Sequence, residues 1–360
     1  MDIFTYMIEH GHEQLILHAD KRVGLNAIIS IHRSSQGPAL GGVRFKTYSS
    51  EEEAIFDALK LSEGMTYKCA AAGLENGGAK AVLIANEGIG DRRELFRAFG
   101  RIIDSLNGRF YTGEDVGTTP DDMAIISMET KYVSGLPLSM GGEGDPSPYT
   151  ARGVFLATKA GLKEVYGSTS VKNKTVAIQG LGSVGFNLAK NFHENGAHLL
   201  VADVDDTKLR SALDSFDAEI IPPSQIYEVE ADIFAPCALG SILDNESIAK
   251  LRCKLVAGAA NNQLADFSHA QMLRERNILY LPDFVINSGG LLFLTHRMRG
   301  LTFDEAVKEV ENIYETATKV LEISKRYRIS PLEAGHKLAE TRLREHVPLH
   351  NRSILNSRET

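Results

Sequence analysis

Cysteine is scarce in this chain. Only Cys69, Cys237 and Cys253 occur among its 360 residues, and they are an odd and scattered set. This usage argues against a disulfide framework and against a zinc site. We therefore predict no bound metal, and we expect each thiol to be a small buried apolar group in a reducing cytoplasm.

Long apolar runs and basic clusters are also missing. No stretch reaches the roughly 18 apolar residues of a membrane span. The first residues, MDIFTYMIEHGHEQ, lack the cationic region and apolar core of a signal peptide. The net charge is -8 with both signs interspersed, which is not the pattern of a nucleic-acid-binding protein. We expect a cytoplasmic protein that binds neither membranes nor nucleic acid.

A glycine-rich turn between a strand and a helix is the most informative feature present. The apolar run 175–179 predicts a strand, and residues 183–194 predict a helix. A second apolar run, 197–202, ends at Asp203. The turn itself has the pattern G-x-G-x-x-G, formed by Gly180, Leu181, Gly182, Ser183, Val184 and Gly185.

This arrangement predicts a dinucleotide-binding unit. Gly180 permits a tight turn, Gly182 lets the backbone approach a pyrophosphate, and Gly185 lets the helix pack close to the strand. The pyrophosphate is expected at the helix N-terminus, where free N–H groups favour an anion. Asp203 is expected to accept hydrogen bonds from the adenosine ribose, which favours NAD over NADP. The alternative is a plain glycine turn of a βα unit.

Strands and helices alternate along most of the chain. A strand is predicted at 25–33, a helix at 51–68 and a further strand at 80–85. Residues 136–150 are rich in Gly, Pro and Ser and are typical of a connector. After the glycine-rich unit, strands are predicted at 233–237, 254–257 and 278–281, and the chain is helical from residue 302.

Such alternation is typical of a parallel, doubly wound sheet. We expect an α/β protein of two domains. An N-terminal α/β domain comprises residues 1–135 and is joined by 326–360, because the late helices return to it. Residues 136–325 form a Rossmann-type domain that binds NAD.

Two lysines, Lys68 and Lys80, flank a segment of small and apolar residues. Partial desolvation lowers the pKa of a lysine, and a second nearby cation lowers it further. One lysine could then act as a general base while the other holds a substrate carboxylate. The alternative is that both side chains snorkel at the ends of secondary structure.

Three other polar and glycine-rich segments are candidates for ligand contact. Residues 111–120 contain the acidic pair Glu114 and Asp115, which is also typical of a turn or a helix cap. Residues 257–264 and 282–290 each follow a predicted strand. In an open α/β sheet such segments line the crevice at the carboxyl ends of the strands, although each could be an ordinary loop.

Taken together, these blocks resemble the glutamate/leucine/phenylalanine/valine dehydrogenase family over nearly the whole chain. The matching segments are 37–42, 64–68, 77–80, 112–119, 180–185 and 287–290. The resemblance implies oxidative deamination of an L-amino acid by NAD and water to a 2-oxo acid, ammonia and NADH. It also implies that the first domain binds substrate and assembles a homo-oligomer, from dimer to octamer.

The resemblance assigns roles to individual residues. Lys80 activates water, Asp115 exchanges protons with the amino group, and Lys68 binds the substrate carboxylate with help from the backbone near Gly41. Asn262 contacts substrate or nicotinamide, and Thr150 lies near the nicotinamide carboxamide. The further cofactor-binding candidates are Cys237, Ala238, Asn261 and Asn287.

The substrate side chain is expected to meet an apolar surface. The matched positions are Leu40, Met65, Gly113, Leu291 and Leu294, which could instead be generic core. Burying an unpaired carboxylate there would cost several kcal/mol, so an apolar amino acid is implied. Gly113 widens the site while Leu291 and Leu294 narrow it, and leucine, valine, isoleucine and phenylalanine all stay open.

Two departures from the family pattern and two rival functions remain. Phe293 removes a polar group expected near the nicotinamide or the adjacent helix start, and Arg33 replaces an acidic residue. One rival is an aromatic amino acid dehydrogenase. The other is a non-catalytic NAD-binding regulator, against which the retention of Lys68, Lys80 and Asp115 argues.

Overall fold

The computed structural model describes residues 2–34 and 37–345, and these fall into two compact units. One corresponds to Met1–Asp145 with Ala339–Thr360, and the other to Pro146–Leu338. The connecting boundary therefore lies about ten residues later than the expected 135/136. The second boundary falls inside the last helix rather than at residue 326, because this helix runs unbroken from Pro331 to Glu345.

The first unit is built on a six-stranded mixed sheet. Its elements are α1 (Ile3–His10), β1 (Gln14–Asp20), β2 (Leu25–Ile31), β3 (Ala39–Leu40), β4 (Val43–Lys46), α2 (Glu51–Ala72), β5 (Gly77–Ile84), α3 (Arg92–Ser105), β6 (Phe110–Tyr111), α4 (Pro120–Ser127) and a short 3-10 helix, Leu138–Met140. The strand order is β1-β2-β5-β3-β6, and β4 also pairs with β5. Strands β1, β2 and β5 are antiparallel, whereas β3 and β4 run parallel to β5.

Strand β5 lies at the centre of this sheet, and its alternate residues serve its two faces. Ala79, Ala81 and Leu83 join the apolar core that includes α3, whereas Val82 faces the cluster that includes residues of α2. Gly78 allows the close approach of this helix, because a Cβ there would lie 2.2 Å from the Thr66 nitrogen. Lys80 shares the face of Val82, so its side chain points towards α2.

The N-terminus of α2 is capped by Ser50, whose side chain accepts a hydrogen bond from the Glu53 N–H. The helix extends to Ala72, beyond the expected residue 68, because Gly73 provides the left-handed residue that ends it. Arg342 of the last helix donates hydrogen bonds to the carbonyl oxygens of Ala70 and Ala71. The expected return of the C-terminal helix to the first unit is thus confirmed.

The second unit is a doubly wound sheet of six parallel strands. Its elements are α5 (Ser147–Tyr166), β7 (Thr175–Gln179), α6 (Ser183–Glu194), β8 (His198–Ala202), α7 (Asp206–Ser215), β9 (Ala218–Ile220), β10 (Ile233–Pro236), α8 (Asn245–Lys250), β11 (Leu255–Val256), α9 (His269–Glu275), β12 (Leu279–Tyr280), α10 (Asp283–Ile286), α11 (Gly289–Leu294), α12 (Phe303–Glu311), α13 (Ile313–Tyr327) and the part of α14 (Pro331–Glu345) up to Leu338. The strand order is β12-β11-β10-β7-β8-β9.

The order of this sheet reverses between β7 and β10, which are neighbours although two strands separate them in the chain. A reversal of this kind opens a crevice at the carboxyl ends of the two strands, where ligands bind in open α/β sheets. Gly180 follows β7 and Cys237 follows β10. The expected α/β class and Rossmann-type second domain are confirmed, and none of the described helices combines the length and apolar composition that a bilayer span requires.

Candidate active site

A buried ion pair lies at the centre of the first unit. Lys80 is 5% exposed, and its Nζ lies 3.0 Å from Asp115 Oδ2. The lysine belongs to β5, where Ser30 of β2 is the residue opposite it. Two of the three charged residues expected from the sequence are therefore in direct contact.

Asp115 is held by a tight loop against β4. The Asp115 N–H donates to Thr118 Oγ1 at 2.9 Å, and the Thr118 hydroxyl lies 3.1 Å from the Val43 carbonyl oxygen. Gly117 has a φ of 83°, and a Cβ there would lie 1.8 Å from the Phe45 carbonyl oxygen. Gly117 and Thr118 thus hold the loop, and with it the Asp115 carboxylate, close to β4.

Arg44 is the second cation at Asp115, and sequence reasoning missed it. Its Nε donates to Asp115 Oδ2 at 2.7 Å, and one terminal nitrogen donates to Asp57 Oδ2 at 2.9 Å. The Tyr48 hydroxyl donates to the same Asp57 oxygen at 2.6 Å. The strand Val43–Lys46 alternates apolar and cationic residues, so no local pattern marks Arg44 as buried.

These contacts determine the charge states. Burial lowers the pKa of Lys80, Asp115 opposes this effect, and Arg44 adds to it. We expected a second lysine to be the nearby cation, but the structure places Arg44 in that position. Burial acts to raise the pKa of Asp115, yet Lys80 and Arg44 together hold it below its usual value. Asp115 is therefore ionised at neutral pH, and Lys80 loses its proton more readily than an exposed lysine.

Of the remaining expected substrate residues of this unit, Leu40 and Gly41 lie against the same strand. Leu40 is 4% exposed and pairs with Gly78. A Cβ at Gly41 would lie 1.7 Å from the Ala79 carbonyl oxygen, so this glycine permits the backbones to touch. Met65 and Lys68 are half-buried on α2. A Cβ at Gly113 would lie 3.0 Å from Ser134 Oγ.

The glycine-rich turn of the second unit has the geometry of a dinucleotide cradle. Gly180 has a φ of 95°, and a Cβ there would lie 2.7 Å from that of Ala238. A Cβ at Gly185 would lie 2.0 Å from the Gly180 carbonyl oxygen and 3.2 Å from the Cβ of Cys237. No described atom lies within 4 Å of a Cβ placed at Gly182, and no side chain caps α6 at this residue. Open space and unoccupied helix N–H groups therefore meet at Gly182.

Asp203 fastens this turn to the end of β8. Its Oδ2 accepts a hydrogen bond from the Leu181 N–H at 2.7 Å, and its Oδ1 accepts one from the Asp205 N–H at 2.9 Å. A carboxylate has about four acceptor positions. Asp203 thus has a structural task that the sequence did not predict, with capacity left for hydroxyl groups of a ligand.

An asparagine pair lies where the segments after β11 and β12 meet. Asn287 Nδ2 donates to Asn261 Oδ1 at 2.7 Å and to the Ala259 carbonyl oxygen at 3.2 Å. The Asn287 Oδ1 atom is buried without a hydrogen-bond partner among the described residues. Asn262, which follows Asn261 in the chain, has a φ of 51°. An unpaired buried acceptor is costly, so a donor from a bound ligand fits here.

Thr150 lies in the first turn of α5, beside the start of α11. Its hydroxyl donates to the Pro146 carbonyl oxygen, and a Cβ at Gly290 would lie 2.4 Å from Thr150 Oγ1. Leu291 and Leu294 are half-buried on α11.

Phe293, which was expected to leave a polar group missing, instead completes an aromatic cluster. It is 2% exposed, it stacks on Tyr149 at 3.7 Å between ring centroids, and it meets the edge of Phe303 at 5.8 Å. Aromatic packing fills this position.

Within residues 2–34 and 37–345, no group of three or more His, Cys, Asp or Glu side chains is arranged to hold a metal ion. The three cysteines are free thiols. Cys69 and Cys253 are buried as expected, whereas Cys237 is only half-buried; it follows β10 and lies beside the glycine turn.

Comparisons with known proteins agree with this geometry. The profile of the Glu/Leu/Phe/Val dehydrogenase dimerisation domain matches residues 12–132, and that of Glutamate/Leucine/Phenylalanine/Valine dehydrogenase matches 141–208 and 202–346. The chain is 50% identical over 343 residues to leucine dehydrogenase from Thermoactinomyces intermedius, covering 95% of this chain and 94% of that protein. It is 47% identical to leucine dehydrogenase from Bacillus subtilis (strain 168), over 95% of this chain and 94% of that protein.

The crystal structure of L-tryptophan dehydrogenase from Nostoc punctiforme superposes with a TM-score of 0.84 at 45% identity, covering 95% of this chain and 99% of that one. The two matching family profiles and the long, highly identical relatives confirm the expected enzyme class, which uses a nicotinamide cofactor, and they exclude the reading as a non-catalytic regulator. The chain belongs to the glutamate/leucine/phenylalanine/valine dehydrogenase family and is an amino acid dehydrogenase.

Proposed function

We propose that this enzyme uses NAD to oxidise leucine or another branched-chain L-amino acid to the 2-oxo acid, with release of ammonia. One observation carries the proposal: the buried Lys80 ammonium group lies 3.0 Å from the Asp115 carboxylate. Deamination requires a base that can be neutral near physiological pH and a carboxylate that can handle the amino proton. The leucine dehydrogenases at 50% and 47% identity favour an aliphatic substrate.

The residues divide the work as follows. Bound NAD supplies a two-electron acceptor for the hydride that leaves the substrate Cα. Lys80 takes a proton from the water that adds to the resulting iminium carbon, and Asp115 transfers protons to and from the amino nitrogen. Lys68 and the backbone at Gly41 bind the substrate carboxylate. The carbon–nitrogen bond then breaks, and ammonia leaves.

Apolar side chains support the choice of substrate. Leu40, Met65, Leu291 and Leu294 are proposed to contact the substrate side chain. None of these four can pair with a carboxylate, and a buried unpaired carboxylate costs several kcal/mol. Glutamate is therefore a poor substrate.

An aromatic substrate is the second candidate, since a tryptophan dehydrogenase is 45% identical to this chain. The sequence predicted that Gly113 widens the site. A Cβ at Gly113 would lie 3.0 Å from Ser134 Oγ. The space left by the missing methyl group is therefore limited by the serine side chain. This contact favours the aliphatic substrate.

The choice of NAD rests on the acidic end of β8. Asp203 is proposed to accept hydrogen bonds from the ribose, with Gly180–Gly185, Cys237 and Ala238 around the pyrophosphate. Lys208 Nζ lies 3.9 Å from Asp203 Oδ1, and a 2′-phosphate at this position would meet the Asp203 carboxylate. Asn261, Asn262, Asn287 and Thr150 are proposed to contact the nicotinamide end, where the unpaired Asn287 oxygen can accept a hydrogen bond.

Self-association is proposed through the outer side of the first unit. Strand β1 lies at the sheet edge and pairs only with β2 among the described strands, and Leu17 on it is 63% exposed. Phe4 and Ile8 lie four residues apart on α1, on one helix face, and are 76% and 78% exposed. Exposed apolar groups beside an unpaired edge are typical of an interface.

The substrate proposal is tested by NADH formation in a panel of amino acids at alkaline pH. We expect kcat/KM for L-leucine to exceed that for phenylalanine and tryptophan by about tenfold or more, because a ring adds several carbons to a fixed pocket. We expect NAD to be preferred over NADP. Preference for tryptophan would select the second candidate, and preference for NADP would refute the role of Asp203.

Lysine variants separate the proposed roles. Lys80→Ala is expected to lower kcat by about 10² to 10⁴-fold, the usual contribution of a general base, while NADH binding is retained. Lys68→Ala is expected to act mainly on KM for the amino acid. Lys60→Ala, on the exposed face of the same helix α2, is the matched control and should change neither. Wild-type turnover in Lys80→Ala would contradict the assignment.

Glycine variants test the dinucleotide cradle without an activity measurement. Gly182→Ala is expected to keep the unfolding temperature, because its methyl group meets no protein atom. It should weaken NADH binding, followed by fluorescence, by about tenfold, or about 1.4 kcal/mol. Gly180→Ala is the contrast, because its positive φ and its contact with Ala238 should destabilise the fold. Unchanged NADH affinity in Gly182→Ala would place the pyrophosphate elsewhere.

The interface is tested by light scattering of the purified chain. The wild type should have a mass of two or more times the 39.4 kDa of a single chain. The double variant Phe4→Glu/Ile8→Glu should form smaller assemblies, because charges replace the apolar contact. Leu213→Glu, which replaces an exposed leucine on α7, should not. A monomeric wild type would rule out self-association.

A further inference from the structure

The charged residues around Lys80 form a chain that continues beyond Asp115. Lys80 contacts Asp115, Asp115 contacts Arg44, and Arg44 contacts Asp57. The side chains of Arg44 and Asp57 are 18% and 25% exposed. Cations and carboxylates therefore alternate along a largely buried row, and the two inner members, Asp115 and Arg44, each have an oppositely charged neighbour on both sides.

Strand pairing explains why Arg44 reaches this row. Strand β4 runs parallel to β5 with Arg44 opposite Val82. Paired residues of neighbouring strands point to the same face of a sheet, and Val82 shares its face with Lys80. The Arg44 side chain consequently lies on the face covered by α2, where Asp57 accepts its second hydrogen bond.

The guanidinium group has a shape suited to this bridge. Its Nε and one terminal nitrogen reach two different carboxylates, at 2.7 Å and 2.9 Å. A planar, permanently charged fork holds both at fixed directions, which a lysine cannot do. Asp57 is in turn held by the Tyr48 hydroxyl at 2.6 Å. The orientation of Asp115 is thus fixed from α2 and β4 as well as from its own loop.

The charge balance matters for the proposed base. If Lys80 were the only cation at Asp115, loss of its proton would leave a buried carboxylate unpaired, which is strongly unfavourable. Arg44 stays charged at all relevant pH values and remains bound to Asp115. The other groups near Lys80 are Asp57 on α2, whose charge opposes the effect of Arg44, and the neutral Ser30 on β2.

We propose that Arg44 is a positioning residue for deamination, whose guanidinium group holds the Asp115 carboxylate against Lys80 and balances its charge, so that Lys80 can release and accept a proton during turnover. This inference rests on the proposed function, in which Lys80 is the base. Arg44 acts through Asp115 and Lys80.

The test is the pH dependence of kcat/KM for deamination, whose acid limb reports the base in the free enzyme. Arg44→Gln removes the cation, so the acid limb should move to higher pH by about one unit, the usual effect of a nearby charge. Asp57→Asn removes an anion near Lys80 and keeps an oxygen for Arg44, so the limb should move to lower pH. Arg44→Lys keeps the charge but not the fork, so the limb should stay while kcat falls.

Arg97→Gln is the matched control, because Arg97 forms an ion pair with Glu129 on another part of the unit and should leave the profile unchanged. Unfolding temperature and NADH binding are measured for every variant. A loss of packing alone would lower activity without opposite shifts of the acid limb. Shifts of the same sign in Arg44→Gln and Asp57→Asn, or no shift in either, would overturn the inference.

Two further results keep the test decisive. If Arg44→Gln does not fold, Arg44→Lys and Asp57→Asn decide, and a wild-type kcat with an unmoved limb in both refutes the role. If Lys80→Ala is inactive while the Arg44→Gln profile matches the wild type, only this inference fails. If Lys80→Ala keeps its turnover, the proposed catalytic roles fail as well.

Discussion

The burial of one ammonium group constrains the whole first unit. A charged lysine inside a sheet is expensive unless it is paired, because desolvation removes favourable contacts with water. Lys80 is fixed in that position by the alternation of β5, so neighbouring elements must bring compensating charge. A loop supplies Asp115, β4 supplies Arg44, and α2 supplies Asp57. The same burial lowers the pKa of Lys80. Desolvation therefore both destabilises the charged lysine and makes it a better base.

The distances between the charged side chains around Lys80 depend on nearby glycines. A Cβ at Gly42 would lie 2.4 Å from the Glu114 carbonyl oxygen and 2.9 Å from the Asp115 Cβ. Gly41 and Gly78 permit equally close approaches to β5. A bulkier residue at any of these sites would push the loop or the helix outwards, and the charged atoms would separate. The glycines therefore set the geometry that the lysine and the aspartate use.

The sequence predicted elements whose signals are local. Residues 175–179 and 183–194 were assigned correctly as strand and helix, because an apolar run, a glycine turn and a helical pattern follow one another. Lys68, Lys80 and Asp115 were named as candidate site residues from sequence motifs. Arg44 and Asp57 were not predicted as site residues, because no neighbouring residue in the sequence indicates that their side chains are largely buried. Their partners lie on other elements, and only the strand register brings them together. Short strands such as Ala39–Leu40 and Ala218–Ile220 were missed because two or three residues carry no periodicity.

Phe293 occupies a position where the packing of this chain suits an aromatic ring. The family resemblance suggests a polar residue there, and a polar side chain at a position that is 2% exposed needs a partner. In this chain Tyr149 offers a ring face and Phe303 offers an edge, so an apolar ring is the better occupant. The ring belongs to a local aromatic cluster, in which Phe293 also lies 5.4 Å from the centroid of the His296 ring. Lys80 differs from Phe293, because its charge is balanced by a row of residues on three separate elements, and a neutral residue in its place would leave the Asp115 carboxylate with Arg44 as its remaining partner in the row.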